Sequence, residues 1–323
     1  MTRQAVARLH FTDLHPEQTD LASAVLAGLA RRPKRIEPKF FYDDRGSKLF
    51  DAICEQPEYY LPDAEREILE THRDAISEAL GSGCVLIEPG AGSAAKVRLF
   101  LEELRPSAYV PLDISGDYLY RAAHDLARDF PWLDIHAACV DFAHSLQLPE
   151  RLPEAHKVAF FPGSSLGNFE PDAAVRFLTE VCAAVEAGGS LLIGVDIPKD
   201  EAVLDAAYND RAGVTAGFNK NLLVRIAREL DSDVEPDEFE HLAFYNREAG
   251  RVEMHLRSRR AQQVRVNGET FAFEAGETIH TECSYKYDQL QFRKMAERAG
   301  FRHEQVWQDS RDLFQVHYCS VPG

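Results

Sequence analysis

The 323-residue sequence predicts an α/β fold, a mostly parallel sheet ending in an antiparallel hairpin, with a second, α+β domain inserted into it. Three observations carry this. From about residue 62 to 199, short apolar runs alternate with amphipathic stretches of helical length, the pattern of βαβ units. After Pro198 the alternation gives way to helical stretches and then to an antiparallel-looking series. From about residue 285 the αβ rhythm returns. The expected division is 62–199 with 285–323 as one domain, and 1–61 with 200–284 as the other.

Taken in order, Asp20 can cap a helix in which Leu21, Val25, Leu26 and Leu29 share one face. Residues 38–47 form an aromatic segment running into a loop, and a short helix follows over 48–55. The run Pro57-Glu58-Tyr59-Tyr60-Leu61-Pro62 ends it, because proline cannot continue a helix. A helix over 63–80 leads into a strand over 85–88, a glycine turn and a helix over 94–104. Strands over 108–112 and 135–140 end at Asp113 and Asp141, with a helix over 118–130 between them. A strand over 157–161 runs into Pro162-Gly163-Ser164-Ser165-Leu166-Gly167-Asn168, and a helix over 172–186 precedes a strand over 190–196. In the inserted part, strands are read over 251–257, 263–266 and 270–273, the last two joined by an Asn267-Gly268 turn. A helix over 287–299 and strands over 302–308 and 313–320 close the sheet.

Composition excludes several function classes. Lys plus Arg number 36 against 53 Asp plus Glu, a formal charge of −17 that repels a phosphate backbone, so no nucleic-acid partner is expected. The longest apolar runs are too short to span a bilayer, and no apolar segment follows Met1-Thr2-Arg3-Gln4-Ala5, so neither membrane nor export signal is expected. Cys54, Cys84, Cys139, Cys182, Cys283 and Cys319 form no CxxC pair and read as reduced thiols of a cytoplasmic protein. The twelve histidines form no HxH or HxxxH pair, so no metal site is expected. No obligatory protein partner is evident, and a monomer is the expectation.

The chemistry is signalled where the first sheet strand ends. In Glu88-Pro89-Gly90-Ala91-Gly92-Ser93, two glycines let the backbone approach a ligand ahead of a helix. Asp113 follows Gly92 by 21 residues at the end of the next strand, where a carboxylate accepts both hydroxyls of a ribose. By itself this suits a dinucleotide or S-adenosylmethionine, and a purely structural turn is the remaining alternative. Three features favour the methyl donor. Ala95 stands at the third glycine of a dinucleotide motif, Asp141-Phe142 offers an acceptor and a ring for an adenine, and the sheet ends in a hairpin. That is the plan of class I, Rossmann-like methyltransferases. The loop over 161–169, beyond the fourth strand, should face the transferred methyl, and it lacks the Asn/Asp-Pro-Pro-aromatic motif common in nucleic-acid amino-methyltransferases.

Several segments resemble the L-histidine Nα-methyltransferases of ergothioneine biosynthesis. They are Phe41-Tyr42-Asp43-Asp44-Arg45-Gly46-Ser47, Pro57-Glu58-Tyr59-Tyr60, Gly163-Ser164-Ser165-Leu166-Gly167-Asn168, Gly213-Val214-Thr215-Ala216-Gly217-Phe218-Asn219 and Thr281-Glu282-Cys283-Ser284. The likeness runs from about residue 36 to the C-terminus, with the motifs in the family's order. It implies three methyl transfers from S-adenosylmethionine to the α-amine of histidine, giving hercynine. It implies cofactor contacts at Tyr42, Gly90, Lys96, Asp113, Asp141 and Phe142. Tyr59, Asn168 and Tyr208 match positions that hold the α-amine and carboxylate, and Glu282 and Ser284 match positions that hold the imidazole. Tyr59 and Asn168 are the residues implied at the reacting amine. Cys283, where the family more often has an aliphatic residue or Asn, points away from Glu282 and Ser284 if the segment is extended.

Displacement at a sulfonium methyl needs a neutral amine lone pair in line with the breaking bond, about 3 Å away. Asn168 offers an acceptor for an amine N–H and a donor for a carboxylate. Tyr59 and Tyr208 offer hydroxyls without adding charge, although a lone tyrosine is more often packing. A carboxylate at Glu282 favours an imidazole over an apolar side chain, and a solvated strand-edge Glu is its plain alternative. Lys96 could pair with the methionine carboxylate of the cofactor or stand exposed on a helix. The competing function is the same fold acting on another free amino acid or small amine.

Overall fold

Eight strands form one sheet in the computed structural model, which describes residues 8–14, 21–143 and 146–323. Their order across the sheet is Arg8–Asp13, Asp134–Cys139, Ala108–Asp113, Val85–Pro89, Lys157–Phe161, Ser190–Asp196, Phe314–Ser320 and Arg302–Gln308. Neighbours are parallel up to Ser190–Asp196, and the last two strands run antiparallel. The central strands Val85–Pro89 and Ser190–Asp196 are buried along their whole length, which is why they read as unbroken apolar runs. The carboxyl ends of the parallel strands carry the loops that matter below.

This sheet, with helices Leu61–Thr71, Arg73–Leu80, Arg98–Leu104, Gly116–Asp129, Pro171–Val185 and Gln289–Arg298, makes one compact unit of Leu61–Pro198, Lys286–Gly323 and the N-terminal strand. Three expectations are corrected here. The strand Arg8–Asp13 pairs parallel with Asp134–Cys139, so the first residues do not belong with the rest of 1–61. The helix over 63–80 is two helices that meet at His72, and the first begins at Leu61 with Pro62 in its opening turn, where a missing N–H costs nothing. The helix expected from Ala94 begins at Arg98, because Gly90, Gly92 and Ala94 all take positive φ and carry the chain as turns. The cap assigned to Asp20 lies outside the described residues.

The second unit comprises Lys199–Tyr285 with the described part of Glu17–Tyr60. Its four-stranded sheet has the order Lys34–Arg35, Thr278–Tyr285, Arg251–Ser258, Phe239–Asn246, and the hairpin Gln262–Val266/Glu269–Phe273 turns at Asn267-Gly268 as expected. Helices Leu21–Ala30, Asp44–Cys54, Glu201–Tyr208 and Val214–Glu229 complete it. The loop expected up to Ser47 is instead helical from Asp44. Asp43 caps that helix by accepting the Gly46 N–H at 2.7 Å, and Arg228 and Asn221 donate to the same carboxylate. Gly46 is required there, since a Cβ would fall 1.7 Å from the Phe41 carbonyl oxygen.

Glu253, on Arg251–Ser258, accepts from His255 Nε2 at 3.0 Å, Arg251 Nε at 2.9 Å and Asn246 Nδ2 at 3.0 Å. Burial pushes its pKa up, but these donors outweigh burial and bring it from the ordinary 4.5 to about 2. A folded-state value below the unfolded one gives stability that is present above the ordinary range and lost as pH falls through it. The melting temperature should therefore drop between pH 4.5 and about 2, and Glu253→Gln should flatten that part of the profile. Parallel slopes for the two proteins would contradict the assignment.

Candidate active site

In the first unit the site is built on the strand ends. Gly90 (φ +68°) and Gly92 (φ +53°) turn the chain after Val85–Pro89. A Cβ on Gly90 would press within 3.3 Å of the Phe142 ring, whereas one on Gly92 would meet nothing nearer than 4.0 Å. The turn is thus packed on one side and open on the other, as a ligand cradle must be. Asp113 closes the next strand, and its Oδ2 accepts the Gly92 N–H at 3.0 Å while Oδ1 accepts that of Ser115 at 2.9 Å. Each oxygen has a second lone pair that can serve a ligand hydroxyl. Burial holds the Asp113 pKa above its ordinary value despite those N–H groups. Asp141, 8% exposed, lies two residues beyond Asp134–Cys139, and Phe142 beside it packs edge-on to Phe161 at 6.1 Å. Under the turn, Glu88 accepts the Tyr109 phenol O–H, and burial raises its pKa to about 8.

Lys96 is neither an exposed helix lysine nor on a helix at all. Its Nζ meets Glu65 Oε2 at 2.5 Å, and the Glu65 carboxylate is 1% exposed. Glu65 also accepts the Gly163 N–H at 2.8 and 3.0 Å, so it ties Lys96 to the loop after Lys157–Phe161. Gly194 makes room for this, because a Cβ there would fall 2.0 Å from Glu65 Oε1. Sequence reasoning missed Glu65. Its signal was available: it stands in the apolar stripe Leu61, Ala64, Ile68, Leu69 of its helix. The same loop is fixed a second time at Ser164 (φ +58°), whose Oγ accepts the Asp196 N–H at 2.9 Å. Asp196 in turn pairs with Lys286 at 2.7 Å, both side chains fully buried. Asn168 ends the short 3-10 turn Ser165–Asn168 that this double anchor holds.

The second unit brings together Tyr59, Tyr208, Glu282 and Ser284, with Tyr42 beside them. Tyr208, 5% exposed, donates its O–H to Ser284 Oγ at 2.8 Å. The Tyr59 ring stands edge-on to Tyr208, 6.1 Å away. Burial, and then Tyr208, Cys54, Glu282 and Tyr42, hold the Tyr59 phenol well above the ordinary tyrosine range, so it is a neutral donor and acceptor. Tyr42 packs edge-on to Phe50 and Phe218. It therefore belongs to this unit, while the other five residues matched to cofactor positions belong to the first. On Thr278–Tyr285, Glu282 pairs with Met254 and Ser284 with Val252, one face of the sheet, and Cys283 pairs with Glu253 on the other, as expected for an extended segment.

Among the described residues, two groups whose ligand atoms lie within 4.8 Å could invite a metal, His10/Asp134/His136 and Glu253/His255/His280. Spacing could not show either, since each assembles from separate strands. In the second, Glu253 is already paired with the Arg251 guanidinium at 2.9 Å.

A family model described as histidine-specific methyltransferase, SAM-dependent, matches residues 21–321. The chain is 38% identical over 292 residues to the histidine N-alpha-methyltransferase of Mycolicibacterium smegmatis, covering 88% of this chain and 90% of that one. It is also 38% identical over 297 residues to the protein of the same name from Mycobacterium tuberculosis, covering 90% and 91%. Ergothioneine biosynthesis protein 1 of Schizosaccharomyces pombe is 25% identical over 281 residues, 83% of this chain and 36% of that protein. With its class I sheet order and the open turn between Gly90 and Asp113, the chain belongs to the histidine-specific, S-adenosylmethionine-dependent methyltransferases.

Proposed function

We propose that the chain trimethylates the α-amino group of L-histidine to hercynine, the first step of ergothioneine biosynthesis. The observation that carries this is the cluster of the second unit. It sets two neutral phenols, a serine hydroxyl and one carboxylate together, a set suited to a zwitterion with an imidazole. Identity to proteins named for that reaction, over about nine-tenths of the chain, supports it.

S-adenosylmethionine, when bound, would supply a sulfonium methyl for the amine lone pair to attack, with the thioether sulfur as the leaving group. Asp113 and Asp141 hold its ribose and adenine, Gly90 and Gly92 bring the backbone close, Phe142 offers a ring, and Lys96 and Tyr42 complete the set. Tyr59, Tyr208 and Asn168 hold the α-amine and carboxylate. Glu282 accepts an imidazole N–H. The Ser284 hydroxyl, which accepts from Tyr208, is also a donor suited to the other ring nitrogen. None of the six cysteines, all among the described residues, is in a disulfide, which supports a reducing, cytoplasmic setting. Among the described residues no helix is long and apolar enough to cross a membrane.

Removing the Asp113 carboxylate leaves the Gly92 and Ser115 N–H groups and the ligand's hydroxyls without their acceptor. Asp113→Ala should weaken cofactor binding by about 1–3 kcal/mol. Calorimetry that found unchanged affinity would remove Asp113 from the site. The function itself is tested by supplying the purified protein with S-adenosylmethionine and each free amino acid in turn, read by mass spectrometry. Histidine should be the substrate consumed; methylation of another amino acid with histidine untouched would overturn the reading.

A further inference from the structure

Thr278–Tyr285 contains one residue too many. Against Arg251–Ser258, His280 pairs with His255 and Glu282 pairs with Met254, so Thr281 has no partner and forms a β-bulge. Side chains alternate along a strand, so an extra residue moves everything after it to the opposite face. Without the bulge, Glu282 would oppose Glu253, and Ser284 would oppose Arg251. With it, both stand with Met254 and Val252, on the face where Ser284 meets Tyr208.

The bulge is clamped by side chains. Thr281 is 1% exposed, and its hydroxyl lies 2.8 Å from Asn219 Oδ1 and 3.0 Å from the Met254 carbonyl oxygen, sharing one proton between two acceptors. Asn219, fully buried on Val214–Glu229, donates Nδ2–H to the His255 carbonyl at 3.0 Å. Thr281 and Asn219 thus satisfy the carbonyls of the two residues that flank the gap in the partner strand. His280 Nε2 donates to the Glu282 carbonyl at 2.9 Å and bridges the bulge along its own strand.

We propose that Thr281 and Asn219 are positioning residues for histidine recognition, and that they act through the bulge that turns Glu282 and Ser284 to the Tyr208 face. This rests on the imidazole role given to Glu282 above. Thr281→Val keeps the branched shape and removes the proton, whereas Thr281→Ser keeps the proton. The expected result is a histidine KM raised about tenfold in Thr281→Val, the size of one lost buried hydrogen bond, with kcat and cofactor affinity near wild type. Thr281→Ser should stay near wild type. In a double-mutant cycle, Thr281→Val should add less than its full effect to the KM of Glu282→Ala, because part of that effect runs through Glu282 and the rest through Ser284. Thr281→Ala, run beside Val, reports the same loss if the Val variant does not fold. An unchanged KM in both hydroxyl-free variants, a Ser variant as impaired as Val, or additive effects in the cycle would each overturn the clamp. Were Glu282→Ala itself to leave histidine KM unchanged, the imidazole role would fail instead, which separates the two failures.

Discussion

Asn168→Ala should lower the turnover of histidine about a hundredfold, the usual scale for losing the alignment of two reacting groups. The effect should be largest for the first methyl transfer. The loop that carries Asn168 has two further anchors, Glu65 on the Gly163 N–H and Ser164 on the Asp196 N–H. One site must perform three transfers while the amine grows bulkier and loses its N–H bonds. An amide can accept an N–H without pinning the nitrogen by charge, so the nitrogen can turn to present a fresh lone pair. The third transfer leaves a permanent cation with no lone pair, and the reaction stops there. Time courses by mass spectrometry, started from histidine and from Nα,Nα-dimethylhistidine, separate the roles. Equal losses on both would mean that Asn168 serves the carboxylate or the loop instead of the amine.

Glu282→Ala should raise histidine KM by about 10- to 100-fold, the value of a hydrogen bond to a charged acceptor, and relax selectivity toward apolar amino acids. Glu282 sits among Tyr59 and its neighbours in the second unit, not on the strand ends of the first, so kcat at saturation should be little changed. A fall in kcat at constant KM would place Glu282 in the methyl transfer itself.

The two halves of the site are legible in the sequence to different degrees, for physical reasons. The cofactor half is local: a fully buried strand, a glycine turn and a carboxylate at the next strand's end lie within 26 residues of chain, from Glu88 to Asp113. Local propensity and burial write such a unit directly. The strand Arg8–Asp13 was missed because an edge strand, with one neighbour and a mixed polar face, has no apolar run to announce it. Glu65 was missed because a charged residue reads as surface until the loop that needs it is in place. Glu282 and Ser284 were reached only through the resemblance. Their face depends on the extra residue Thr281, and alternation read along the chain cannot show that a partner strand has skipped one.

The chain should place three methyl groups on the α-nitrogen of histidine. The most direct test is NMR and mass spectrometry of the product formed by the purified protein from histidine and excess S-adenosylmethionine. One final product is expected, trimethylated on the α-nitrogen with both imidazole nitrogens unmodified, reached through mono- and dimethyl species. A methyl group on the ring, or a reaction that halts at the monomethyl amine, would contradict it.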